Sequence, residues 1–412
     1  MDTLHPHCAG LDVHKDTVVA CARHVAPSGR ARSEVRTFST RTSGLLELAD
    51  WLTQQGVTHA AMESTGVYWK PVYHILEGVC ELLLVNAEHV KKVPGRKTDV
   101  KDSEWLAQLL QCGLLRPSFI PPAPIRAVRD LTRQRTQLIG EKARVANRIQ
   151  KVLEDTNVKL ASVATDILGK SGRAILNALV DGQTDPAELA ELALGRLREK
   201  IPRLREALRG KVTEHHRFLL RLLLQQVSFL EGQVGQLEGR ITEALGPYEG
   251  QLQQLMEVPG ISRTVAEVVL AEAGPDLAAF PSEGHLASWL GLCPGNERSA
   301  GKRRSGRTGK GNRWLKSALV QAAWAAGRSK GTYLRARFQR LAARRGRKRA
   351  LVAVGHSLVG LVYQVLRYGR SYRELGEDYF DRAQAERLTR RLIHRLERLG
   401  HKVTIQPAQE AR

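Results

Sequence analysis

Residues 7–40 read HCAGLDVHKDTVVACARHVAPSGRARSEVRTFST, and they contain three strand-like runs joined by short turns. The runs HCAGLDV, DTVVACARHV and SEVRTFST predict an antiparallel meander. Beyond them, GLLELADWLTQQ and YWKPVYHILEGV have the spacing of amphipathic helices, while THAAMEST and ELLLVN have that of strands. The first hundred residues are therefore predicted to form an α/β domain.

Three antiparallel strands followed by alternating helix and strand is the order of an RNase H-like mixed sheet. In such a sheet the ends of the first and fourth strands are central neighbours, and here they carry Asp12 and Glu63. Asp99 and Asp102 begin the helix after the fifth strand, on one face of it. Four carboxylates suit Mg²⁺ or Mn²⁺, and two such ions about 4 Å apart can activate an attacking oxygen and stabilise a leaving one.

These acids also have an ordinary structural explanation. Thr98 or Asp99 is a good helix N-cap, and the helix dipole favours acidic residues in a first turn. Asp16 and Glu104 compete for the metal role. They rank lower because Asp16 falls in the turn before the second strand and Glu104 is rotated off the face that Asp99 and Asp102 share.

The global composition indicates a nucleic-acid partner. The chain has 412 residues, a formal net charge of +22 and a pI near 10.2, so its surface collects polyanions. It contains no run of about 18 apolar residues and no secretory leader, which predicts a soluble, cytoplasmic, nucleoid-associated protein without a membrane partner. Five scattered cysteines without a C-x-x-C pair predict reduced core thiols.

Four regions are predicted: an α/β domain over 1–120, a helical region over 121–250, a domain with a basic loop over 251–345, and a helical extension over 346–412. The segment SFIPPAPIR breaks regular structure and closes the first region. Two long helices in the second region have coiled-coil spacing, and they can pack on each other or pair between chains as a dimer. Their heptad positions are Leu131, Leu138, Val145 and Val152, then Leu220, Leu223, Val227, Leu230, Val234, Leu237 and Ile241.

Two features of the third region suit phosphate groups. The stretch VPGI, with Gly260, resembles a helix-hairpin-helix turn whose amides hold a phosphate, although an ordinary αα-turn fits it nearly as well. Downstream, a glycine-rich basic loop without acids can follow a phosphate backbone closely. It is not a P-loop, since Arg307 stands where that motif has lysine. The basic residues are Arg298, Lys302, Arg303, Arg304, Arg307, Lys310, Arg313 and Lys316.

The motifs GLDVHKD, MESTGVYW and KTDVKDSEWLA, then VPGI, WLGLCP, SAGKRRSG and KGNRWLK, occur in one order between residues 7 and 325. This set resembles the DEDD-type insertion-sequence transposases, which join a RuvC-like N-terminal domain to a serine-bearing C-terminal domain. The tail is similar to the subgroup with a longer C-terminal extension. The helical patterns after residue 120 predict an all-α part beside the α/β domain. The resemblance implies a metal-binding tetrad of Asp12, Glu63, Asp99 and Asp102, and a nucleophile, Ser299, that forms a covalent link to DNA.

The same resemblance implies the partners. Members of this family recombine double-stranded DNA at the ends of the element and at its target, and a structured RNA from the element's own flank guides them. They assemble through their coiled coils into homodimers and homotetramers.

Ser299 needs activation, because a hydroxyl is a weak nucleophile until a base or a metal lowers its proton affinity. Apart from Glu297, no local group supplies that base, so a catalytic Ser299 would rely on the acidic metal site of the other domain or of another subunit, with Arg and Lys stabilising phosphate charge. The alternative is that Ser299 only hydrogen-bonds a phosphate. Ser305 is a rival, and the resemblance favours Ser299. His14 and His89 receive no catalytic role.

The sequence thus predicts a metal-dependent DNA recombinase that mobilises an insertion sequence, with Mg²⁺ or Mn²⁺ as cofactor. The first alternative is a structure-selective nuclease, similar to a Holliday-junction resolvase, that uses the acids without a covalent intermediate. The second is a non-catalytic nucleic-acid-binding scaffold whose acids are helix caps and core polar groups.

Overall fold

The computed structural model describes residues 3–26, 28–64, 66–90, 102–295, 297–299, 302–383 and 385–404, without the side chains of 88, 297–299, 302–305, 387 and 388. The chain forms two compact units, residues 1–120 and 121–412. The first is a mixed α/β unit and the second is largely helical, which confirms the predicted fold class at this level. The finer division of 121–412 stays a prediction.

The described residues of the first unit form five strands and four helices. In chain order they are β1 His7–Val13, β2 Thr17–Val25, β3 Ala31–Ser39, α1 Thr42–Gln54, β4 His59–Glu63, α2 Trp69–Leu76, β5 Glu81–Val85, α3 Ala87–Val90 and α4 Asp102–Gln111. The strands form one sheet in the order β3-β2-β1-β4-β5. The pairs β1–β2 and β2–β3 are antiparallel, whereas β1–β4 and β4–β5 are parallel.

Each face of this sheet buries a separate apolar cluster. On one face, side chains such as Leu11 pack with Leu48 and Trp51 of α1. On the other face, Cys8 and Ala61 pack with apolar residues of α4. Because successive strand side chains point to opposite faces, even-numbered residues of β1 lie on the α4 side.

Helix α4 lies directly against β1, and Gly10 allows this close approach. A Cβ atom added at Gly10 would stand 2.1 Å from the carbonyl oxygen of Ser103 and 2.5 Å from the amide nitrogen of Ala107. Both are backbone atoms, so a flexible side chain cannot move aside to relieve the overlap. Two residues earlier, the Cys8 thiol donates to the carbonyl of Ala107 at 3.5 Å.

The second unit contains fourteen described helices and a two-stranded hairpin. The α-helices are α5 Ala123–Asp155, α6 Leu160–Val163, α7 Lys170–Val180, α8 Pro186–Glu191, α9 Ile201–Ala207, α10 Glu214–Ala244, α11 Glu249–Met256, α12 Arg263–Ala273, α13 Glu283–Trp289, α14 Arg313–Ala326, α15 Tyr333–Arg345, α16 Arg347–Tyr368, α17 Tyr379–Arg382 and α18 Ala385–Arg398. The strands are β6 Glu297–Ser299 and β7 Lys302–Ser305, and 3-10 turns occupy Gly195–Lys200 and Gly246–Tyr248.

The two long predicted helices, α5 and α10, pack on each other within one chain. They run antiparallel, since Oδ2 of Asp155, at the end of α5, lies 3.1 Å from Nε2 of His216, in the first turn of α10. Predicted heptad residues of both helices, including Leu138, Val145 and Val227, are buried in one core that the intervening short helices complete. Pairing between chains stays a prediction.

Helices α12 and α16 form the interior of the C-terminal half of this unit. Every residue of α12 from Val265 to Ala273 is buried, as expected for a helix packed on all sides. Among the described helices, α16 alone is long and apolar enough to span a membrane, and half of its apolar stretch is buried. No such stretch was expected from the sequence. Its contacts with α13, α14 and α15 account for its apolar character as a core helix.

We predict that Gly10→Ala destabilises the protein by about 1–3 kcal/mol, because the added methyl must displace the backbone of α4. Gly232→Ala, in the middle of α10 with open space around it, is the control and should stabilise by about 0.5–1 kcal/mol. Urea denaturation followed by circular dichroism measures both. Equal effects of the two substitutions would contradict the close approach at Gly10.

Candidate active site

Three of the four predicted metal-binding acids belong to described elements of the first unit, at the same end of the sheet. Asp12 lies near the end of β1, Glu63 is the last residue of β4, and Asp102 is the first residue of α4. Asp99, the fourth acid, lies outside the described residues. Strand register and helix direction relate the other three to one another.

Asp12 and Glu63 lie side by side at the sheet centre. The parallel register pairs Gly10 with Ala61 and Leu11 with Met62, so the next position pairs Asp12 with Glu63. Adjacent strands are about 4.8 Å apart, which is within reach of a shared cation. Glu63 is on the same face as Ala61, which packs in the cluster beneath α4.

Helix α4 points its first turn at this pair of acids. Contacts pass from Ala107 to Ser103 as β1 passes from Cys8 to Gly10, so the two elements run in opposite directions. The next residue of β1 on that face is Asp12, and the residue directly before Ser103 is Asp102, the first residue of α4. The fold thus brings Asp12, Glu63 and Asp102 to one end and one face of the sheet.

The Asp12 side chain contacts His14. Its carboxylate is about 29% exposed, and Oδ2 lies 3.1 Å from Nε2 of His14. The described side chains include no group of three His, Cys, Asp or Glu close enough to hold a metal ion. The tetrad therefore stays a prediction, and its completion involves Asp99.

The two competing acids are placed differently. Asp16 is in the turn between β1 and β2, where its carbonyl accepts from the amide of Thr40 at 3.1 Å. Glu104 lies toward β2, near Cys21: burial raises the pKa of the Cys21 thiol to about 11, and the charge of Glu104 adds to that rise. Neither observation favours them over Asp12 and Asp102.

Ser299 lies in a β-hairpin, where the sequence analysis expected a loop. Strand β6 pairs with β7 in antiparallel register, with Ser299 opposite Lys302 and Glu297 opposite Ser305. Ser299 is therefore in the strand pair nearest the hairpin tip, whereas its rival Ser305 is at the base. The side chains of Ser299 and of four predicted nucleic-acid contacts are outside the description, and these contacts stay predictions. They are Arg298 in β6 and Lys302, Arg303 and Arg304 in β7.

The base of the hairpin is tightly built. The Gly295 amide donates to the carbonyl of Arg307 at 3.0 Å. The ammonium group of Lys316 donates to the carbonyls of Gly291 and Gly309, both at 2.8 Å. Burial lowers the pKa of Lys316. Lys316 was grouped with the phosphate-binding residues by sequence, but its contacts join Gly291, before the hairpin, to Gly309, after it. Residues 291–311 are called the hairpin segment below.

The remaining basic residues of the predicted loop face solvent. Arg307, Lys310 and Arg313 are exposed, and the Arg313 guanidinium lies 4.6 Å from the centre of the Trp314 ring. Exposed cations suit contact with a phosphodiester backbone, which stays a prediction for these residues.

Gly260 has a packing function that its sequence motif did not reveal. Its φ of +91° suits glycine, and an added Cβ would stand 2.3 Å from the carbonyl of Ala322 and 2.7 Å from the amide of Ala326 in α14. This close approach explains the glycine without a phosphate. Phosphate binding by the VPGI turn stays a prediction.

Sequence comparison places both candidate regions in known families. A family model described as "Transposase" matches residues 9–158, which include the acids. A second, described as "Transposase IS116/IS110/IS902 family", matches residues 252–339, which include the serine hairpin. The chain belongs to the IS116/IS110/IS902 transposase family. The family resemblance inferred from the motifs is thereby confirmed, and this transposase is an enzyme of DNA recombination.

Curated relatives agree over most of their length. A Pseudomonas aeruginosa protein named "Probable family 20 transposase" is 27% identical over 373 residues, covering 88% of this transposase and 94% of its own chain. A Streptomyces clavuligerus protein named "Insertion element IS116 uncharacterized 44.8 kDa protein" is 25% identical over 329 residues, covering 71% and 79% respectively.

The contrast between Lys310 and Lys316 can be tested. We expect Lys310→Gln to weaken DNA binding and to reduce the slope of log affinity against log salt by about one, because one phosphate contact is lost. Lys316→Met should leave that slope unchanged and lower the melting temperature, because two carbonyls lose their donor. Fluorescence anisotropy over a salt series and thermal unfolding measure the two effects. A reduced salt slope for Lys316→Met would contradict its structural assignment.

Proposed function

We propose that this transposase cuts and rejoins double-stranded DNA with a carboxylate-bound divalent metal in an RNase H-like (RuvC-like) first unit and Ser299 as nucleophile. The observation that carries the proposal is the convergence of Asp12, Glu63 and the first turn of α4 at one end of the sheet. The strand order β3-β2-β1-β4-β5, with the first three strands antiparallel, supports the RNase H-like assignment.

The donor set fits Mg²⁺ or Mn²⁺. Asp12, Glu63 and Asp102 offer only carboxylate oxygens, which these hard cations prefer, and Asp99 would be the fourth donor. A divalent ion held there would supply positive charge that lowers the proton affinity of an attacking hydroxyl and neutralises charge on the phosphate. His14, 3.1 Å from Asp12, helps to orient that carboxylate.

The proposed serine step consists of two transfers of one phosphoryl group. The Oγ of Ser299 loses its proton and bonds to the phosphorus of a DNA phosphodiester. The bond from phosphorus to one deoxyribose oxygen breaks, and that oxygen takes up a proton. After strand exchange, a deoxyribose hydroxyl attacks the phosphoserine, which restores both the DNA backbone and the serine. Exposed cations such as Arg307 and Arg313 stabilise the phosphate charge.

The proposed partners are double-stranded DNA, a structured guide RNA and further copies of the chain. The net charge of +22 supports both nucleic acids. Oligomerisation is supported by α10, where Phe218, Leu222 and Phe229 are exposed even though the helix is packed on α5. A cytoplasmic, nucleoid-associated location goes with these partners.

A cleavage assay with Mg²⁺, element-end DNA and flanking RNA tests the proposal on denaturing gels. We expect the wild type to form a covalent protein–DNA band, and both Asp12→Asn and Ser299→Ala to reduce it by at least about a hundredfold. Ser305→Ala is the matched control, because Ser305 is at the base of the same hairpin, and it should keep the band.

Two outcomes would overturn the proposal. Cleavage without an adduct, unaffected by Ser299→Ala, would favour the nuclease that uses the acids alone. Nucleic-acid binding with no cleavage, unaffected by Asp12→Asn, would favour the non-catalytic scaffold.

A further inference from the structure

The second unit buries two carboxylates in its central helix α12, and one of them contacts the segment that carries the proposed nucleophile. Glu272 has no exposed side-chain surface, and Glu267 is nearly as buried. A buried charge is costly unless it is paired and hydrogen-bonded, so each must have strong partners.

Glu272 is paired from two sides. Arg133 of α5 donates to both of its carboxylate oxygens, at 2.6 and 2.8 Å, in a bidentate pair. Arg129, one turn earlier, donates to the backbone carbonyl of Glu272 at 2.7 Å. From the other side, Nδ2 of Asn312 donates to Oε2 of Glu272 at 2.7 Å.

Asn312 forms the junction between the hairpin segment and α14. Its Oδ1 accepts from the amides of Trp314 and Leu315, at 3.0 and 3.1 Å, so it caps α14 while its amide group binds Glu272. Arg133 also lies 5.7 Å from the centre of the Trp314 ring. The exit of the hairpin segment is therefore held to α5 and α12 through one fully buried carboxylate.

We propose that the Glu272–Asn312 hydrogen bond is a positioning device for Ser299, which fixes the orientation of the β6–β7 hairpin relative to α5 and α12. Neither residue touches the reacting atoms in this role. The inference rests on the proposed function for its catalytic meaning, and on the geometry alone for its structural meaning. A nucleophile displaced by about 1 Å can lose a hundredfold in rate, so a small tilt of the hairpin matters.

The variants separate the hydrogen bond between Asn312 and Glu272 from the capping of α14 by residue 312. Asn312→Ser keeps a good N-cap for α14 but is too short to reach Glu272. Asn312→Asp keeps the cap and places a carboxylate against Glu272. Adding Glu272→Gln to Asn312→Asp exchanges donor and acceptor and so offers a new hydrogen bond. Glu267→Gln is the matched control, since this acid of the same helix pairs with Arg135 and Arg263.

The first measurement is amide hydrogen exchange of residues 291–311 in the full chain without DNA. We expect faster exchange in Asn312→Ser and Asn312→Asp, partial recovery in the double variant, and wild-type exchange in Glu267→Gln. This arm needs no catalysis, so it tests the positioning device even if the proposed function is wrong.

The second measurement compares DNA affinity with the rate of adduct formation at saturating DNA. Asn312→Ser and Asn312→Asp should bind DNA within about twofold of wild type but form the adduct at least about tenfold more slowly, with non-additive recovery in the double variant. Unchanged exchange in both Asn312 variants, or an equal loss of rate in Glu267→Gln, would overturn the proposal. A wild type without adduct but with the expected exchange pattern would instead remove the proposed function alone.

Discussion

The close approach of α4 to β1 at Gly10 is the constraint on which the first unit depends. A helix can reach a strand this closely only where the strand has no side chain, and Gly10 is that position. This contact allows the short distance between α4 and the sheet and fixes which residues of α4 lie against β1. Together with the parallel pairing of β1 and β4, it brings Asp102 to the end that carries Asp12 and Glu63.

In the second unit, charged groups attach the β6–β7 hairpin to the helices. Its hairpin is short and basic, and two strands alone have little stability of their own. Lys316 joins the two ends of the segment, and Asn312 binds the buried Glu272. A paired buried carboxylate is costly to separate from its partners, which is why we propose that Glu272 fixes the position of this segment.

The order of β1 to β5 with α1 and α2 was predictable, because alternating and helical periodicities are strong local signals. The neighbouring positions of Asp12 and Glu63 were predictable from that order, since topology decides which strand ends are neighbours, while their metal-binding role stays a prediction. The hairpin was missed because SAGKRRSG has the glycine and charge content of a loop. Glu267 and Glu272 were missed as well, although two acids within an otherwise apolar helix are a signal that each has a buried partner.

Long-range contacts account for what the sequence could not show. The assignment of Lys316 to carbonyls, and of Gly260 to packing against α14, depends on residues distant in sequence that only the fold brings together. The pairing of α5 with α10 inside one chain was likewise not predictable from the sequence. A heptad pattern predicts which residues of a helix face a partner, but not whether the partner helix belongs to the same molecule.

We propose above all that the first unit holds a divalent metal with carboxylates at the carboxyl ends of β1 and β4. Mn²⁺ binding, measured by electron paramagnetic resonance, tests it most directly. The account predicts that Asp12→Asn weakens binding by about tenfold or more, while Asp16→Asn, in the neighbouring turn, leaves it unchanged. Equal Mn²⁺ affinity in the wild type and Asp12→Asn would contradict the account.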